Sequence, residues 1–92
     1  MANEAACPQQ RERVLTQRID EAVVLLDADS GKYYSLDEVG GRLWELCDGT
    51  RTLRQLAAVI GEEYEAPVKI VEADITELLA ELTVEKLVVY TS

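Results

Sequence analysis

The sequence predicts an α+β domain of winged-helix-like architecture, with a three-stranded antiparallel sheet followed by three helices. Three observations carry that prediction. Apolar residues recur with a period of two up to Leu36 and with a period near 3.6 beyond it. A cluster of turn-forming residues, Asp27-Ala28-Asp29-Ser30-Gly31, separates two short apolar runs. The chain has 92 residues, which is one domain's worth and leaves little room for a deep cavity beside a core.

Each element has its own signal. Residues 1–12 (MANEAACPQQRE) are polar and unpatterned and are expected to form a disordered tail, leaving 13–92 as the domain. A weak strand is expected from Arg13 to Ile19, and the β-branched run Ala22–Leu26 is a stronger one. The 27–31 turn then leads into a returning strand, Lys32–Leu36, to complete a hairpin. Alternation places Lys32, Tyr34 and Leu36 on one face and Tyr33 and Ser35 on the other. Tyr34 and Leu36 are expected to pack inward against Trp44, with Tyr33 at the surface.

The first helix follows, capped by Asp37 or by a Ser35–Glu38 capping box, with Val39, Leu43, Leu46 and Cys47 as its stripe. Gly40 and Gly41 disfavour a helix by about 1 kcal/mol each, and close packing against the sheet is the expected reason for them. Thr52 and Gln55 form a second capping box, opening a helix over 52–64. Pro67 marks a break, and a third helix runs from about Val68 to Thr83. Lys86–Tyr90 reads as a closing strand.

Composition narrows the function. Eighteen acidic residues against nine basic give a net charge of −9, which opposes phosphate backbones and anionic membranes as partners. The chain contains no histidine, the commonest general base and metal ligand. No glycine-rich loop links a strand to a helix, so neither a nucleotide cofactor nor a metal is expected. Cys47 lies on an apolar helix face and reads as a small core residue, far in sequence from Cys7. The carboxylates fall in turns or on polar helix faces, where solvation is their ordinary state. No catalytic residue is expected. The first residues lack the apolar stretch of a signal peptide, which makes the cytoplasm the expected location. Helices at 52–64 and 68–83 suggest a helix-turn-helix, but the second carries Lys69 against Glu72, Asp74, Glu77 and Glu81. Such a face repels DNA.

The ordered series LLDADSGKYYSLD, VGGRLWELCDGTRTLRQLAAVIGEEY and PVKIVEADITELLAEL resembles the PqqD-like family over Ala22 to Leu87. These are recognition elements that bind leader segments of ribosomally made, post-translationally modified peptides (RiPPs). The resemblance is nearest to the free-standing recognition protein of lasso-peptide pathways, which implies a cysteine-protease leader peptidase and a cyclase as partners. A chaperone for a radical-SAM enzyme is the alternative, and a DNA-binding or purely structural subunit fits less well.

The resemblance implies that a leader peptide adds as a strand to the sheet edge and lies in a groove beside the third helix. Carried onto this chain, the edge is Lys32, Tyr33, Tyr34, Ser35 and Leu36, and the facing wall is Val71, Asp74, Ile75 and Leu78. Affinity is then expected to be largely insensitive to salt if backbone bonds and apolar pockets dominate. The partner enzymes are expected to dock on the outer faces of the first two helices, near Arg42, Glu45, Arg51 and Arg54.

Overall fold

Two antiparallel sheets flank three helices in the computed structural model, which describes residues 6–91. The order is β1 (Cys7–Gln10), β2 (Val14–Ile19), β3 (Ala22–Asp27), β4 (Tyr33–Leu36), α1 (Glu38–Leu46), α2 (Leu53–Glu63), α3 (Val68–Val84) and β5 (Val88–Thr91). Strands β2, β3 and β4 form one sheet in that order, and β1 pairs with β5 in the other.

The three-stranded sheet is one-sided, as period-two patterning requires. Val23, Leu25 and Asp27 of β3 point inward and are buried, while the residues between them are half-buried on the outer face. Asp27 is the one buried charge in this set, and it is well compensated. Arg11 Nη2 lies 2.9 Å from Asp27 Oδ1, which also accepts the Asp29 N–H at 3.0 Å. Gly31 closes the turn at φ 75°, its N–H donating to the Asp27 carbonyl at 2.7 Å.

Helix α1 is capped by Asp37, whose side chain accepts from Gly40 N at 2.7 Å. A Cβ on Gly41 would lie 2.5 Å from Val23 Cγ2, so this helix sits on the sheet at a distance only glycine allows. Both arms of the Thr52–Gln55 capping box are formed at the start of α2. Helix α3 starts after Pro67 without a side-chain cap. Between sheet and helices the core gathers Val23, Leu25, Leu43, Trp44, Leu56, Ile60, Leu79 and Leu87, each 1% exposed or less.

The expected disordered tail needs correction. Residues 1–5 of it lie outside the described residues, but Cys7–Gln10 form a strand against β5, with Cys7 opposite Thr91 and Gln10 opposite Val88. Pro8 is buried, Gln10 Nε2 donates to the Trp44 carbonyl at 2.7 Å, and the Arg11 side chain donates to the Lys86 carbonyl and to Asp29. The sequence conceals this because the pairing partner is some eighty positions away and CPQQ carries no apolar alternation of its own. The expected closing strand is present as β5, shifted to Val88–Thr91, and pairs with β1.

Candidate functional site: a groove between β4 and α3

Strand β4 is hydrogen-bonded on one side only. The Asp27 N–H donates to the Lys32 carbonyl at 3.0 Å, which makes Asp27–Lys32 a bonded pair of the ladder. Antiparallel alternation then turns the backbone groups of Tyr34 and Leu36 toward β3 and those of Tyr33 and Ser35 toward the open edge. Two N–H and two C=O groups are thus offered to an incoming chain.

The open edge looks onto α3 across a groove with two arms. The larger, of about 700 Å³, is lined by the β4 residues Tyr33, Tyr34, Ser35 and Leu36 and, from α3 and its C-terminal cap, by Leu78, Leu82, Val84, Glu81 and Glu85. The smaller, of about 480 Å³, adds Asp37, Val39, Gly40, Asp74 and Ile75. Ser35, Leu36 and Leu78 border both arms, so the two are continuous. Leu36 is buried and Leu78 half-buried; Val84 is 77% and Tyr33 71% exposed, leaving apolar surface on both banks. Gly40 keeps the smaller arm open, since a Cβ there would lie 3.2 Å from Leu78 Cδ2 and 3.4 Å from Leu36 Cβ.

Tyr34 bridges the banks. Its hydroxyl donates to Glu85 Oε2 at 2.7 Å, and this bond, with burial and the neighbouring charge, raises the phenol above its ordinary pKa. Tyr34 packs against the core from the inner face of the sheet, while Tyr33 points outward.

The expected site residues divide three ways. Tyr33, Tyr34, Ser35 and Leu36 form the edge, and Asp74, Ile75 and Leu78 line the facing wall, Ile75 with only 2% of its surface exposed. Lys32 precedes the strand and lines neither arm, its carbonyl being engaged by β3. Val71 is 6% exposed and belongs to the core. The C-terminal end of α3 extends the wall beyond the expected residues. Helical spacing from Leu78 leads to Glu81, Leu82 and Glu85, so that signal was present in the sequence. Asp37 and Gly40, a cap and a packing residue by sequence, also border the smaller arm.

Other chemistry is scarce. Burial, and then the charge of Asp48, push the Cys47 thiol up to about 12, far from a reactive thiolate. Among the described residues no group of three or more His, Cys, Asp or Glu side chains is gathered as a metal ion would require. No helix of the described residues is long and apolar enough to cross a membrane. Of the expected docking residues, Arg42 is bound to Glu63 at 2.8 Å and Arg51 lies 3.2 Å from Asp48.

Comparison with known proteins places the chain in a family. The sequence profile of the family described as coenzyme PQQ synthesis protein D (PqqD) matches residues 22–88. Among solved structures, TbiB1 in complex with the TbiA(beta) leader peptide is 31% identical, with a TM-score of 0.78 over 87% of this chain and 93% of that one. The PqqD truncation of Methylobacterium extorquens PqqCD, described as a functional stand-alone RiPP recognition element, is 27% identical, with a TM-score of 0.79 over 95% and 93%. A lasso peptide synthetase B1 complexed with its leader peptide shares the fold at 23% identity, with a TM-score of 0.77 over 89% and 96%. No curated protein matches the sequence.

Proposed function

The chain belongs to the PqqD family as a PqqD-like RiPP recognition element, and from that premise we propose that it binds the leader segment of a ribosomally synthesised precursor peptide. The leader adds as a fourth strand to β4. Tyr33 and Ser35 supply the backbone groups, and alternate leader side chains enter the two arms of the groove. The observation that carries this reading is the coincidence of the free β4 edge with an apolar-floored groove along α3. TbiB1, at 31% identity, is itself a leader-peptide complex.

The role is recognition without catalysis. The chain holds the leader and presents the remainder of the precursor to separate enzymes in the cytoplasm. We assign those enzymes as a cysteine-protease leader peptidase and a cyclase of a lasso-peptide pathway, on the resemblance to free-standing recognition proteins of such pathways.

Titration with the precursor encoded beside its gene, followed by backbone amide shifts, tests the proposal. Saturable binding is expected, with shifts concentrated at 33–36 and along 74–85. A folded protein that ignores that precursor would overturn it.

A further inference from the structure

The groove has a sign. Asp37, Asp74, Glu81 and Glu85 line it, and no lysine or arginine does. Asp37 caps α1 through Gly40 N, and Glu85 accepts from Tyr34, but neither Asp74 nor Glu81 has an ion-pair partner among the described residues. Among the described residues, no cation is paired with an acid of the groove. Arg11, Arg13, Arg18, Arg42 and Arg51 all pair with carboxylates that lie outside the groove lining. Lys32, Arg54, Lys69 and Lys86 form no ion pair among the described residues, and none of them lines the groove, so Asp74 and Glu81 have no cation against them there.

We infer that the leader segment taken by this groove is cationic, with lysine or arginine side chains directed at Glu81 and Glu85 in the larger arm and at Asp74 in the smaller. The inference rests on the leader-binding reading and specifies the class of leader. The floor suits such a side chain, because Leu78, Leu82 and Val84 can cover its methylenes while the head reaches the carboxylates at the rim. Asp74 and Glu81 are about two turns apart on α3, roughly 10 Å along its axis. Side chains on one face of an added strand recur about every 6.8 Å. Two basic residues, two or four positions apart on the leader, reach both acids. Binding then depends on salt, in contrast to an interaction made only of backbone bonds and apolar contacts.

The test is calorimetric titration of the full chain with the neighbouring precursor at 50 and 300 mM NaCl. Glu81→Gln with Glu85→Gln, Asp74→Asn, and a control Glu62→Gln outside the groove are compared. Affinity is expected to fall about tenfold between the two salts. Each groove variant should weaken binding about three- to tenfold at low salt and flatten the salt response, while Glu62→Gln changes neither. Glu81→Lys should be rescued by a precursor whose matching basic residue is changed to Glu. Tight binding indifferent to salt and to the groove variants would overturn the cationic leader and leave leader recognition standing. Equal effects from Glu62→Gln would reduce the effect to net charge and also overturn it. A folded protein that binds no precursor at either salt would overturn both.

Discussion

The three-stranded sheet has two open edges, and only one of them faces a wall. Strand β2 is the longer edge, six residues against the four of β4. Its bonded pairs with β3 follow from the Ala28 N–H donating to the Arg13 carbonyl at 3.0 Å, so Val14, Thr16 and Arg18 turn their backbone groups outward. By backbone alone β2 is the better template. Beneath it, however, Trp44 Nε1 donates to Thr16 Oγ1 at 2.9 Å and Arg18 pairs with Glu45 at 2.5 Å, tying that edge to α1. Neither arm of the groove draws a residue from β2. An unpaired strand becomes a specific site only where side-chain pockets accompany it.

Proline substitution tests the contrast most severely. Ser35→Pro removes an outward N–H from β4 without touching the ladder to β3, and is expected to weaken precursor binding more than about tenfold. Arg18→Pro does the same to β2, at the loss of a surface ion pair, and is expected to leave binding within about twofold. Calorimetric titration, with circular dichroism melts to confirm folding, reads both. Equal losses would mean that the leader uses either edge.

Two neighbouring glycines separate folding from binding on the β4 side. Gly41→Ala drives a methyl into Val23 and should cost about 1–3 kcal/mol of stability, read as the midpoint of urea unfolding. Gly40→Ala meets Asp37 Oδ1 at 3.1 Å and Leu78 Cδ2 at 3.2 Å, contacts relieved by a few tenths of an ångström, so the smaller arm narrows at a smaller cost to the fold than in Gly41→Ala. Precursor affinity should drop severalfold. A smaller effect is expected for Tyr34→Phe, which keeps the packing and loses the bridge to Glu85, with less than about a threefold change in affinity.

The smallest effect concerns the turn that delivers β4 to its edge. Hydrogen bonds from Arg13 and then Arg11 hold the Asp29 carboxyl below its ordinary pKa. Its folded value is depressed, so its stabilisation is present above the unfolded value of about 3.9 and is lost as pH falls through the folded one. Thermal melts between pH 7 and pH 3 should show a small acid loss that Asp29→Asn reduces.

Much of this site was legible in the sequence because local patterns encode it. The 27–31 turn with Gly31 fixes the hairpin, Thr52 and Gln55 announce α2, and alternation at 33–36 assigns Tyr33 outward and Leu36 inward. What sequence leaves open is rotation about a helix axis. Val71 and Leu78 share an apolar stripe, yet one is core and the other borders the groove, because only tertiary packing sets which flank faces β4. Long-range pairing was equally hidden. Nothing in CPQQ points to Val88–Thr91, and Arg11 reaches its partners only once both ends of the chain are in place.

That last pairing makes the domain a nearly closed ring. With Cys7 opposite Thr91, the β1–β5 ribbon joins the start and finish of the described chain, so opening it releases Arg11 from Asp27 and Asp29 at the far hairpin. Fraying at one end is therefore felt at the turn that leads into the binding edge. The same closure makes the molecule a natural subject for circular permutation. A short linker across the ribbon, with new ends cut at the exposed Asp20–Glu21 turn, would leave β4 and α3 uninterrupted.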